Sequence, residues 1–125
     1  MIATSTYLLL YVDSPATSAN FYSRLLDRPP VELSPTFALF ILDSGLKLGL
    51  WSRQDVEPAT QVTGGGGELA LAVADKHTVD RLHGQWAESG VNIAQAPTTL
   101  DFGYTFVALD PDGHRLRVFL SLIHI

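Results

Sequence analysis

The chain has 125 residues, 46% hydrophobic and 17% charged: the length of one domain, too apolar for disorder and too polar to live inside a membrane. Thirteen acidic residues against eight basic ones give a net charge of −5, the wrong sign for a phosphate-binding surface, so nucleic acid is not expected as a partner. With no cysteine, disulfides, thiolate metal sites and thiol nucleophiles are excluded.

The apolar run Tyr7–Val12 has no basic residue before it and no small-residue cleavage site after it, and it is too short to cross a bilayer. It reads as a first strand, and the expectation is a soluble, cytoplasmic protein. Ser14-Pro15 then sets a helix start, with Ser14 as N-cap and Pro15 at the first helical position. Ala19, Tyr22, Leu25 and Leu26 recur at helical spacing, and Pro29-Pro30 bars continuation. Strands are predicted over Val31–Leu33, Phe37–Leu42 and Leu46–Trp51, the last two joined by a turn at Asp43-Ser44-Gly45.

Residues 52–67 have no periodicity and end in four glycines. They read as a flexible connection between two halves. No Gly-Lys-Ser/Thr follows, and the glycines precede a strand rather than a helix, which argues against a phosphate loop. The second half repeats the pattern. Glu68–Val73 is a strand. Asp75 caps a helix with the stripe Val79, Leu82 and Trp86, which Gly90 ends. Strands follow over Val91–Ala94, Tyr104–Leu109 and Arg115–Leu120, with a turn at Asp110-Pro111-Asp112-Gly113.

Each half is therefore strand, helix, strand, strand, strand. Tyr7–Val12 lies on Glu68–Val73, and Gly45–Trp51 lies on Gly113–Phe119. Leu-Asp precedes both hairpins, as Leu42-Asp43 and Leu109-Asp110. Alternation along the strands gives one aliphatic face: Leu8, Leu10 and Val12; Leu46, Leu48 and Leu50; Leu69, Leu71 and Val73; Leu116, Val118 and Leu120. That face is expected against the helices. The other face carries Tyr7, Tyr11, Trp51 and Phe119 beside Glu68 and Arg117, too aromatic for open solvent and too charged for a dry core. Aromatic walls with a few placed polar groups describe a ligand cavity; a dimer interface or a half-exposed sheet face is the alternative.

With Tyr11-Val12-Asp13 leading into a helix that holds Phe21-Tyr22 and Leu25-Leu26, and with Asp110-Pro111-Asp112-Gly113-His114 before the last strand, the paired βαβββ pattern resembles the vicinal oxygen chelate superfamily. This is the glyoxalase, bleomycin-resistance and dioxygenase fold. Trp51-Ser52 and Thr105-Phe106, together with that turn, look most like its small members that confer resistance to phenazine antibiotics. The resemblance implies one α+β domain over 1–125: module 1 about 5–55, the connection 52–67, module 2 about 68–120. The modules would form a curved mixed sheet around a cavity, with the helices on the outer face.

Enzymes of the superfamily bind a divalent metal at four strand positions. Carried over, these are Tyr7, Gly49, Glu68 and Arg117. Only Glu68 is a suitable ligand, because Gly49 offers no side chain and Arg117 is a permanent cation. No catalytic residue, metal or cofactor is therefore expected. Either Glu68 and Arg117 pair, or Arg117 meets a ligand carboxylate. Trp51 is expected to stack on a flat ligand, with Gly49 beneath it leaving room. Phe40, Phe119, Thr105 and Val107 are further candidate walls, Phe40 on an ambiguous parity. His77, His83, His114 and His124 form no metal-spaced cluster and read as surface residues. Asp110 and Asp112 read as turn residues, and Trp86 as core.

The reading implied is metal-free binding of a planar aromatic antibiotic or similar small molecule by a homodimer. The alternatives are a metal-dependent lyase or dioxygenase of the same superfamily and a non-catalytic interaction module.

Overall fold

A computed structural model describes residues 3–62 and 64–121. The chain divides into two compact units, Met1–Thr63 and Gly64–Ile125, and the division falls inside the predicted connection. His124 and the tail beyond Ser121 lie outside the described residues.

The first unit runs β1 (Tyr7–Val12), α1 (Pro15–Leu26), β2 (Glu32–Leu33), β3 (Phe37–Ile41) and β4 (Lys47–Ser52). Its four strands form one mixed sheet in the order β1-β4-β3-β2, with β1 parallel to β4 and the rest antiparallel. The second unit repeats this with β5 (Glu68–Ala72), α2 (Lys76–Glu88), β6 (Asn92–Leu100), β7 (Gly103–Leu109) and β8 (Arg115–Ser121), in the order β5-β8-β7-β6 with β5 parallel to β8. The expected α+β class and the paired βαβββ modules are what the structure has.

The caps follow the sequence. Ser14 Oγ accepts the Thr17 backbone N–H at 3.2 Å, and Pro15 opens α1. The helix stops before the prolines because Asp27 turns left-handed at φ 52 and donates its N–H to the Ser23 carbonyl. Asp75 Oδ1 accepts both the backbone N–H and the hydroxyl of Thr78 at 2.7 Å, which starts α2.

The core of each unit lies between its helix and the aliphatic face of its sheet. In the first, Val12, Ala38, Phe40, Leu48 and Leu50 are buried with Ala19 and Tyr22 of α1. In the second, Leu69, Phe106, Leu116 and Val118 are buried with Val79 and Trp86 of α2, and the Trp86 ring meets Phe106 edge-on at 5.3 Å. Each such large side chain contributes roughly 1.5–3 kcal/mol through burial.

Two local readings change. β6 runs to Leu100, where the sequence suggested a strand ending at Ala94. Pro97 disguises it, but β6 is an edge strand, where a missing N–H is tolerated, and register shifts between Ile93 and Thr98 absorb the irregularity. The hairpins, moreover, align one residue away from their shared Leu-Asp. Leu42 exchanges N–H and carbonyl bonds with Leu46 and Gly45 as Asp110 does with His114 and Gly113, so Asp110 matches Leu42, not Asp43. Gly45 (φ 92) and Gly113 (φ 86) hold the same left-handed position, which excludes most other residues there.

Candidate functional site

Residues paired across neighbouring strands share a face. In the second unit, Ala70 and Ala72 pair with Arg117 and Phe119, and Arg117 and Phe119 pair with Val107 and Thr105. The sheet face turned away from Phe106 and the α2 core thus carries Arg117, Phe119, Thr105 and Val107. Four of the nominated residues share this face, and Glu68 reaches Arg117 from β5.

Arg117 is held on several sides. Its Nε donates to Glu68 Oε1 at 2.5 Å and its Nη2 to Glu68 Oε2 at 3.3 Å, while Nη1 donates to Thr105 Oγ1 at 3.2 Å. Thr105 is fully buried and spends its own hydroxyl hydrogen on the Val118 carbonyl at 2.9 Å, so its oxygen is left to accept from Arg117. The guanidinium lies 5.5 Å from the centre of the Phe102 ring, and Phe102 in turn meets Phe119 edge-on at 5.9 Å. The Arg117 side chain is 14% exposed and that of Glu68 31%. Of the two options open in the sequence, the structure has the Glu68–Arg117 pair.

A guanidinium has five N–H donors. Three of Arg117's are engaged among the described residues, and one each on Nη1 and Nη2 is left over. Phe102 is absent from the sequence-derived candidates. Its only signal is an aromatic residue in the Asp101-Phe102-Gly103 turn, a position strand alternation does not reach.

In the first unit, Tyr11 and Phe37 flank Trp51, Leu9 and Leu39 flank Gly49, and Tyr7 and Ile41 flank Lys47, all on the face away from α1. Trp51 is half-buried and meets Tyr11 edge-on at 6.3 Å. Tyr7 is 51% exposed and carries the Lys47 ammonium 5.2 Å from its ring centre.

Three expectations are corrected. Gly49 does not leave room, because a Cβ there would stand 2.6 Å from Leu9 Cδ2 and 2.8 Å from Phe37 Cζ. The missing side chain is already replaced by two neighbours leaning across it. Phe40 is not a wall of this face. It pairs with Leu48, points to α1 and is fully buried 6.5 Å from the Tyr22 ring. His114 is not a surface residue. It is buried, with Nδ1 2.8 Å from Asp110 Oδ2.

The side chains at the four family metal positions do not make a donor set. Tyr7 is a phenol under an ammonium, Gly49 has none, and the Glu68 carboxylate is taken by Arg117. Among the described residues no three His, Asp or Glu side chains gather as metal ligands. A polar hollow of about 350 Å³ in the first unit is lined by Thr4, Ser5, Thr6, Ser44, Gly45 and Leu46, and none of the nominated residues borders it. No described helix is long and apolar enough to cross a membrane.

Two βαβββ units, each with a parallel first and last strand, define a glyoxalase-type fold. The sequence model of the glyoxalase/bleomycin resistance protein/dioxygenase superfamily matches residues 4–118, and the chain belongs to that superfamily. It is 28% identical over 118 residues to the phenazine antibiotic resistance protein EhpR of Enterobacter agglomerans, covering 92% of this chain and 90% of that one. An Agrobacterium tumefaciens protein solved by NMR in solution is 52% identical, with a TM-score of 0.88 over 98% of this chain and all of that one. A glyoxalase-related enzyme from Fulvimarina pelagi shares the fold at 22% identity, with a TM-score of 0.83 over 96% of this chain and 89% of its own.

Proposed function

We propose that this protein binds a planar aromatic small molecule, a phenazine-like antibiotic being the best-matched class, and protects by stoichiometric sequestration without a metal. The observation that carries the reading is the Arg117 frame. An organic cation is locked by Glu68 and Thr105, backed by Phe102 and Phe119, and keeps two N–H groups in hand. Aromatic rings offer a flat ligand stacking surface, and fixed N–H donors orient its polar substituents. Trp51 with Tyr11 offers a second aromatic surface on the first unit. The similarity to a phenazine resistance protein supports the same ligand class.

Of Tyr7, Gly49, Glu68 and Arg117 only Glu68 suits a divalent metal, and its carboxylate is already paired with Arg117, so the proposed activity is capture, with no residue in a catalytic role. The protein acts as one domain, as a homodimer in the cytoplasm. Sedimentation measures the dimer.

Calorimetric titration of the purified protein with phenazines tests the function. Saturable binding that a chelator leaves unchanged, and that Trp51→Ala or Arg117→Ala weakens, is expected. No binding, or a turnover abolished by chelation and restored by added divalent metal, overturns it.

A further inference from the structure

We infer that Glu68 sets the charge selectivity of the Arg117 site, so that it takes uncharged planar heteroaromatics bearing a hydrogen-bond acceptor in preference to aromatic carboxylates. The inference rests on the binding function proposed above and names the ligand class within it.

An arginine facing a pocket is ordinarily an anion site, since its fork matches a carboxylate. Here the fork is already occupied. Nε and Nη2 are both spent on Glu68, so the guanidinium and the carboxylate together carry no net charge. What is left over is directional rather than electrostatic: one N–H on Nη1 and one on Nη2. A ring nitrogen or an amide or quinone oxygen can accept these hydrogens at no cost in charge. A ligand carboxylate reaching for them brings a second anion beside Glu68, and like charges at a partly desolvated site oppose each other. The chain's net charge of −5 works in the same direction.

The pair is also built to persist. Nη1 is tied to Thr105, whose hydroxyl is tied to Val118, so Arg117 cannot swing away from Glu68 to serve an anion without breaking a buried chain of hydrogen bonds. Phe102 under the guanidinium makes the same demand on its position.

The test compares two probes of nearly equal shape, phenazine-1-carboxamide and phenazine-1-carboxylate at neutral pH, titrated by calorimetry. Wild-type protein is expected to bind the carboxamide at least about tenfold more tightly. In Glu68→Gln, which keeps the size and an acceptor oxygen for Arg117, the ratio of carboxylate to carboxamide affinity is expected to rise about tenfold or more, whatever the variant does to binding of both. Equal affinities, or a preference for the carboxylate in wild type, overturn the inference, as does an unchanged ratio in a folded Glu68→Gln protein. The wild-type ratio decides by itself if that variant does not fold. Failure of both probes to bind wild type overturns the proposed function together with this inference, whereas binding of both with the wrong ratio overturns this inference alone.

Discussion

Asp110 spends both of its carboxylate oxygens on His114. Oδ1 accepts the His114 backbone N–H at 2.8 Å, and Oδ2 stands 2.8 Å from the ring Nδ1, which carries the hydrogen because a carboxylate can only accept. Oδ1 also accepts the Asp112 N–H at 2.9 Å, so one buried side chain closes the β7–β8 turn. The matching turn of the first unit has Leu42 at this place, and its neighbour Asp43 pairs outward with Arg28 instead. Replacing Asp110 with Ala leaves buried donors without acceptors and should cost about 2–3 kcal/mol, read from urea unfolding. A loss within 0.5 kcal/mol, roughly what an ordinary surface change costs, would remove the turn from the stability argument.

Two glycines separate soft from hard crowding. At Gly49 an added Cβ meets the far ends of Leu9 and Phe37, which can yield. At Gly64 it stands 2.8 Å from the backbone carbon and oxygen of Gly113, which cannot. Gly64→Ala should therefore destabilise by roughly 2–3 kcal/mol and Gly49→Ala by about 1 kcal/mol. The reverse order in denaturant melts contradicts the packing described.

Phe40 and Trp51 differ in kind although both were nominated as ligand walls. Phe40 is fully buried against Tyr22, and its replacement by Ala should cost about 3–5 kcal/mol in stability. Trp51 is half-buried, and Trp51→Ala should cost less stability while weakening aromatic-ligand binding. Equal melts for the two variants would show that Phe40 is not a core residue.

Phe102→Ala removes the ring against the Arg117 guanidinium and its edge contact to Phe119. Binding of phenazine-class probes should weaken about tenfold, with the fold retained by circular dichroism. Unchanged affinity would take Phe102 out of the site.

Acid and alkali should each find one sensitive contact on α2. The Thr78 hydroxyl, and after it the Thr78 backbone N–H, holds the Asp75 carboxyl below its ordinary 3.8. The native state then binds that proton more weakly than the unfolded chain. The contribution is whole above about pH 4 and is lost as pH falls through the native value. The hydrogen bond from the Tyr104 hydroxyl to Asp80, with burial and the Asp80 charge behind it, holds the phenol above 10.0, so its contribution is whole below pH 10 and is lost as pH rises through the native value. Thermal melts across pH should show Asp75→Ala with a shallower acid limb and Tyr104→Phe with a shallower alkaline one.

Much of this protein is legible as a string. Helix caps at Ser14 and Asp75, the glycine turns at Gly45 and Gly113 and the alternation of strand residues are local signals. They were enough to give two βαβββ modules and to put Arg117 and Phe119 on one face, where the family resemblance added Thr105 and Val107. Local chemistry specifies such features because it acts within a turn or a strand, whatever surrounds it.

Tertiary structure decided the rest, because those facts depend on which side chains meet across strands. Phe37–Ile41 is apolar on both faces, so only pairing with β4 could send Phe40 inward and Phe37 outward. The empty place of Gly49 was filled from two neighbouring strands, and Phe102 reached Arg117 from a turn. The sequence by itself supplied the carboxylate and the guanidinium. Only the fold chose to spend one on the other, because β5 lies parallel beside β8 in the register that brings Glu68 within reach of Arg117.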